Sequence, residues 1–216
     1  EFNRNNWSDA HPMMKALYYR LYFGVTLSNY YLENVKGDDN ETLTMRAEAR
    51  FMRAMFMYYL MDLYGNVPIK TSVSSESTPQ SSRSEVFAFV EKELKDVVGD
   101  GEGNEVLADK RATYGRADKV AGWILLSRLY LNAEVYTGSA QWQKAKDYAD
   151  KAIKGGYSLC TEGKNGYSAY QLLFMGDNDT NGAQNEIVLP AIHDGMETQT
   201  WGGCLFIIAA SNSSSK

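Results

Sequence analysis

Trp123-Ile124-Leu125-Leu126-Ser127-Arg128-Leu129-Tyr130, followed after a turn by Ala145, Ala149 and Ala152, is the stretch that decides how this chain folds. Trp123, Leu126 and Tyr130 recur at i, i+3 and i+7, and the three alanines at i, i+4 and i+7, so both runs carry the helical period. Small residues on one helix let an antiparallel neighbour approach, while indole and phenol rings fill the groove between them. The spacing predicts a helical hairpin over 118–136 and 140–154, with Trp123 and Trp142 packed between helices. Gly155-Gly156 ends it.

Working outward, residues 12–35 place Met14, Leu17, Tyr18, Leu21, Val25 and Leu32 at helical spacing, with Pro12 tolerated in the first turn. Lys36 to Asn40 is a turn cluster, and residues 41–64 are apolar around most of a helical circumference, which suits the middle of a stack. Gly65 can take the left-handed cap, and Pro68 prevents continuation. A polar loop over 71–82 leads to Ser82-Arg83-Ser84-Glu85, a capping box, followed by Val86, Phe89, Val90, Leu94 and Val97. Glycines at 99, 101 and 103 stop that helix. Beyond Tyr157 the pattern weakens: 167–174 reads as a short helix, and Glu186 to Ile192 as one extended strand. The first-quoted run matches the first helix of a tetratricopeptide repeat, with Ser127 at its small position and a connecting turn about six residues longer than usual. The expected fold is therefore mainly α: a tetratricopeptide-like helical-hairpin solenoid with long loops and a minor β segment near the C-terminal end. Residues 1–216 read as one domain, with helical pairs at about 12–64, 83–136 and 140–154 and an irregular region at 157–216.

Composition narrows the functional classes. The 216 residues carry 22 Lys+Arg against 27 Asp+Glu, a net charge of −5 that argues against general nucleic-acid binding. No apolar run reaches the ~20 residues of a membrane-spanning helix. Two cysteines, Cys160 and Cys204, define no disulfide framework. The chain starts at Glu1-Phe2, and the apolar run Cys204 to Ala210 is followed only by a short polar tail. Both ends read as those of a fragment.

Further residues carry a resemblance. Arg46-Ala47-Glu48-Ala49-Arg50-Phe51-Met52-Arg53-Ala54, running into Asp62-Leu63-Tyr64-Gly65-Asn66-Val67-Pro68, is similar to the signature of SusD/RagB-like outer-membrane lipoproteins. Ser84-Glu85-Val86, Gly115-Arg116-Ala117, Leu125 to Leu131, Trp142-Gln143-Lys144-Ala145, Gly156-Tyr157, Leu173-Phe174 and Glu186-Ile187-Val188 follow in the expected order, so the resemblance spans nearly the whole chain. It implies a lipid-anchored subunit on the extracellular face of the outer membrane that binds oligo- or polysaccharide and delivers it to a SusC-like TonB-dependent transporter. Family members are longer, so this chain would be their tetratricopeptide-like portion. The membrane would be met only through a lipid anchor outside the chain, since neither Cys160 nor Cys204 stands where the family's anchoring cysteine does.

Candidate sites follow from chemistry. A sugar presents an apolar C–H face to an aromatic ring and its hydroxyls to amides and carboxylates. Trp7 and Trp201 lie in polar or glycine-rich loops, Trp7 near Asn5, Asn6 and Asp9, and Trp201 near His193, Asp194 and Gln199. These are the glycan-binding candidates. Glu48 and Asp62, within the long helix, suit ion pairs or helix-end charges, and Arg46, Arg50 and Arg53 share one helical face suited to solvent or a neighbouring helix. Asp177-x-Asp179-x-Asn181-Gly182 copies the first half of a calcium loop, but Val188 stands where its bidentate Glu belongs, so a turn-rich surface connection is the better reading. His11 and His193 have no partner at zinc-ligand spacing, and no phosphate-binding or dinucleotide motif occurs, so no cofactor or metal is expected. The expectation is a non-catalytic glycan binder. The alternative is a tetratricopeptide adaptor cradling a peptide in a groove lined by helix-borne Asn, Lys or Arg; a glycosidase would need a facing acid pair that the sequence does not supply.

Overall fold

A computed structural model describes residues 8, 11–111, 113–192 and 196. Among them are helices α1 (Pro12–Asn34), α2 (Asn40–Tyr64), α3 (Arg83–Val97), α4 (Lys119–Leu131), α5 (Ala133–Thr137), α6 (Trp142–Ile153) and α7 (Ala169–Leu172), and a 3-10 turn at Ala183–Asn185. Their ends follow the sequence. Asp39 caps α2 by accepting from the Thr42 amide at 2.9 Å, and Ser82 and Glu85 form the reciprocal capping box that opens α3. Gly65 adopts φ 78° after α2, a conformation that costs little only for glycine.

The core is continuous from α1 to α6, with Val25, Phe51, Met57, Leu60, Met61, Leu94, Leu126, Leu129 and Tyr130 almost fully enclosed. Helix α2 packs extensively on both α1 and α3, and α4 on α6. Close approach is set by small residues. A β-carbon on Gly24 would stand 2.4 Å from the Phe56 ring, and one on Gly122 would stand 2.4 Å from Val98. In the α4–α6 pair, Ala145 is buried, the Ser127 hydroxyl donates to the Ala145 carbonyl at 2.8 Å, and the Tyr130 and Tyr148 rings stack at 5.6 Å.

Three expectations change. Trp142 is 62% exposed rather than packed: it opens α6 at the edge of that helix's apolar stripe, and Tyr148 takes the groove instead. The helix expected over 118–136 breaks at Asn132, whose φ of −100° and ψ of 9° separate α4 from α5. The minor β segment is also absent: Glu186 to Ile192 forms turns with no strand pairing, and among the described residues the only β pairings are the isolated bridges Val67–Ser81 and Lys164–Tyr167. Among the described residues no neighbouring strand offers a ladder there. Val188 and Leu189 pack against the helical core, while the Arg111 guanidinium donates to the carbonyls of Val188 (2.5 Å) and Gln184 (2.8 Å).

Candidate functional site

The charged residues singled out in the sequence fold inward. Arg50 pairs with Glu93 (2.7 Å) and Asp96 (2.8 Å) of α3, Arg53 with Glu93 (2.5 Å), and Arg46 with Glu105 (2.6 Å). Arg53 also donates to Asn29 of α1 at 2.9 Å. The arginine face therefore meets α1, α3 and the loop after α3. Burial opposes the charge of Asp96, but hydrogen bonds from Lys92 and Arg50 outweigh it and hold the carboxyl below its ordinary value. Glu48 pairs with Arg116, and Asp62 accepts from the Tyr136 hydroxyl at 2.6 Å. Trp123 is half-buried against the core. In the 177–182 loop, Asn181 donates to the Leu172 carbonyl (2.9 Å) and the Asp177 carboxylate (3.1 Å), so it stitches the turn together. Among the described residues, no group of three or more acidic, His or Cys side chains is arranged to hold a metal. Trp7, Asn5, Asn6, Asp9, His193, Asp194, Gln199, Trp201 and Cys204 lie outside the described residues.

What the structure adds is a cleft walled by tyrosines. The start of α1 and the end of α2 enclose about 520 Å3 between Ser8, Met14, Lys15, Tyr18, Tyr19, Leu63 and Tyr64. Tyr18 organises it, with its ring centroid 5.1 Å from Tyr64 edge-on, 4.8 Å from Tyr22 and 6.1 Å from Tyr19. The Tyr64 hydroxyl donates to the Met14 carbonyl at 2.6 Å and that of Tyr22 to the Pro68 carbonyl at 2.7 Å, which fixes both rings. Burial raises both phenols above their ordinary values, so they remain neutral donors at physiological pH. Tyr19 is 59% exposed, with the Lys15 ammonium 5.8 Å from its ring centre. Helical periodicity alone read Tyr18 as core. The available signal was the Tyr18-Tyr19 pair at one helix start, opposite Tyr64 at the end of the next.

A second groove, of about 570 Å3, runs between α4 and α6 and is bounded by Leu159 and Val188. Val120, Ile124, Ala149, Ala152 and Ile153 line it, with Arg128 and Glu186 as its charged residues.

Residues 2–131 match the SusD-like family, described as starch-binding and associating with the outer membrane. The chain belongs to this family. Over 205 residues it is 38% identical to the starch-binding protein SusD of Bacteroides thetaiotaomicron, an alignment that takes in 94% of this SusD-like chain and 35% of that relative. Solved structures share the fold. A SusD-like protein of Bacteroides fragilis superposes with a TM-score of 0.67 at 23% identity, over 86% of this chain and 35% of that one. A laminarin-binding SusD-like protein superposes with 0.68 at 21% identity, over 87% and 39%. The chain thus spans about a third of the length of the curated relative it matches.

Proposed function

We propose that the protein carrying this SusD-like chain captures oligo- or polysaccharide without cleaving it, on the extracellular face of the outer membrane, held there by a lipid anchor. It then passes the glycan to a SusC-like TonB-dependent transporter. The observation that carries this reading, in a chain of this family, is the tyrosine cleft. Exposed Tyr19 offers a ring face and Lys15 a hydroxyl partner on a wall that α1 and α2 hold rigid. Ser8 lines the same cleft, and Trp7 and Asp9 flank it in sequence, which keeps Trp7, Asn6 and Asp9 as its proposed companions. Trp201, His193 and Asp194 are proposed as a separate contact. Pyranose units would stack on the rings while water competes for every hydroxyl, so single sites are weak and release is easy. The groove between α4 and α6 is mainly aliphatic, with Arg128 as its one residue of the Asn, Lys or Arg set, which speaks against the peptide-adaptor alternative.

Affinity electrophoresis through gels containing amylopectin, laminarin or xyloglucan tests the reading. Retardation without release of sugar is expected, weakened roughly two- to tenfold by Trp7→Ala, Trp201→Ala or Tyr19→Ala, the contribution of one ring contact. Hydrolysis of the polymer would refute the non-catalytic reading. Unchanged retardation in all three variants would refute the site.

A further inference from the structure

Downstream of α6 the chain builds a separate cleft of about 290 Å3, with residues 158–164 as one wall and Asn181, Gly182 and Asn185 as the other. The walls are tied together: the Ser158 amide donates to the Asn185 carbonyl at 3.2 Å and the Cys160 amide to the Glu186 carboxylate at 2.8 Å. At one end Lys164 and Tyr167 exchange backbone hydrogen bonds of 3.0 Å in both directions across Asn165 (φ 53°) and Gly166 (φ 82°). Two left-handed central residues make the tight hairpin turn that Asn-Gly favours. Behind it, a β-carbon on Gly163 would stand 2.5 Å from the Tyr167 carbonyl oxygen, so only glycine fits. Backbone geometry has already shaped this cleft, which lowers the ordering cost of binding.

Its lining is mixed, with Leu159 beside polar side chains. Thr161, Glu162, Lys164 and Asn185 face it, and among the described residues the Glu162 carboxylate and Lys164 ammonium have no hydrogen-bond or ion-pair partner. Asn181 belongs to the wall, since both ends of its amide are engaged. Tyr167, on the hairpin at that end of the cleft, is 47% exposed, and Tyr170 and Phe174, next along the chain, are 71% and 73% exposed with centroids 5.1 Å apart.

We propose that this cleft, with Tyr167 at its rim, is a second pyranose-binding subsite, independent of the tyrosine cleft; the proposal rests on the glycan-capture reading. One carboxylate makes no cation site, Glu162 beside Lys164 disfavours an anion, and Leu159 is the one large aliphatic side chain in the lining, less than an apolar peptide side chain would need. A neutral sugar satisfies every feature. Its C–H face lies on the Tyr167 ring, and its hydroxyls donate to Glu162 and accept from Lys164 and Asn185. The volume lies at the lower end of the roughly 300–1,000 Å3 of small-molecule pockets, enough for about one or two sugar units.

The same gels, backed by calorimetry with the matching oligosaccharide, test the subsite on the whole chain. Tyr167→Ala and Glu162→Gln are each expected to weaken binding roughly three- to tenfold, while Tyr167→Phe, which keeps the ring face, retains it. Glu162→Gln removes no packing, so its effect is read without a change of fold. If a gel retards the wild type and both variants equally, the subsite is overturned and glycan capture stands. If no gel retards the wild type, both are overturned.

Discussion

Glu93 is the residue on which three helices converge, and its neutralisation gives a demanding test of how the scaffold is held. One carboxylate oxygen accepts from Arg50 at 2.7 Å and the other from Arg53 at 2.5 Å, while Arg53 reaches on to Asn29 of α1 at 2.9 Å. Glu93 is 6% exposed and Arg53 8%. The buried Arg53 Nε has no partner among the described residues, so this guanidinium has little in reserve. Glu93→Gln keeps the shape and removes the charge. Breaking one side of a buried ion pair costs about 3–5 kcal/mol. Arg50 retains Asp96 at 2.8 Å and Glu105 at 3.4 Å, which places the expected loss at the lower end, about 3 kcal/mol. In a chain of this size each kcal/mol moves Tm by about 2–4 °C, so thermal unfolding followed by far-ultraviolet circular dichroism at pH 7 should show a drop of about 6–12 °C. Replacing both charges, as in Glu93→Leu with Arg53→Leu, should cost less than Glu93→Gln alone, because Arg53 is then not left buried facing a lost partner, while Arg50 keeps Asp96 and Glu105 in either variant. Lys92→Ala, at a mostly exposed side chain paired to Asp96, should change stability by at most about 1 kcal/mol. A Glu93→Gln protein melting within about 1 °C of the wild type would refute the claim that this network holds α1, α2 and α3 together.

Three further outcomes follow from the same geometry. Asp96 has a depressed folded pKa, so its contribution is complete above the ordinary carboxylate value of about 3.9 and is lost as pH falls through the lower folded value. Asp96→Asn should accordingly flatten the decline in Tm measured in acid, and an unchanged slope would remove Asp96 as a cause. Burial, aided by Tyr18 at Tyr22 and by carboxylate acceptors at Tyr130, Tyr136, Tyr148 and Tyr157, raises these five phenols, so the stability they confer is full below about pH 10 and lost as pH rises through their higher folded values. Their share of the ultraviolet tyrosinate signal should appear only with unfolding in alkali; its appearance in the folded protein would contradict their burial. Gly24→Val should destabilise by about 1–3 kcal/mol in a denaturant titration, since even its first carbon would overlap the Phe56 ring.

Much of the helical frame was legible because periodicity, capping and stop signals agree at each element. Ser82-Glu85 and Gly65 announce helix ends that the backbone then adopts. The α4–α6 pairing could be read from Ser127 and Ala145, since close approach needs small residues and few other reasons place them at that spacing. Trp142 and the Glu186 to Ile192 run were misread because their residue types report preference, whereas the outcome depends on neighbours. A tryptophan at the edge of an apolar stripe has no opposing surface to fill, and β-branched residues with no adjacent strand among the described residues pack against the helices instead.

The sites were harder to read for a related reason. A glycan contact needs a ring face and a few polar groups brought together, and no periodicity requires them to be neighbours in sequence. Tyr18 and Tyr64 meet only because α1 and α2 are antiparallel, and Lys164 and Tyr167 face each other only because Asn165 and Gly166 both take positive φ. The Asn-Gly pair was a readable hairpin signal, and the exposed rings that follow it could have been weighed with it. Glycan capture therefore makes two different demands on one chain. The helices must be periodic enough to stay rigid under a weak ligand, and the loops must be free of that period so that ring and polar group can be set side by side. In this chain the change comes after Gly155-Gly156, where helical spacing ends and the glycine-shaped cleft begins, so substitutions on the two sides should separate. Those in the helical core before it should shift Tm, and those at the exposed Glu162 and Tyr167 side chains should shift sugar affinity at nearly constant Tm.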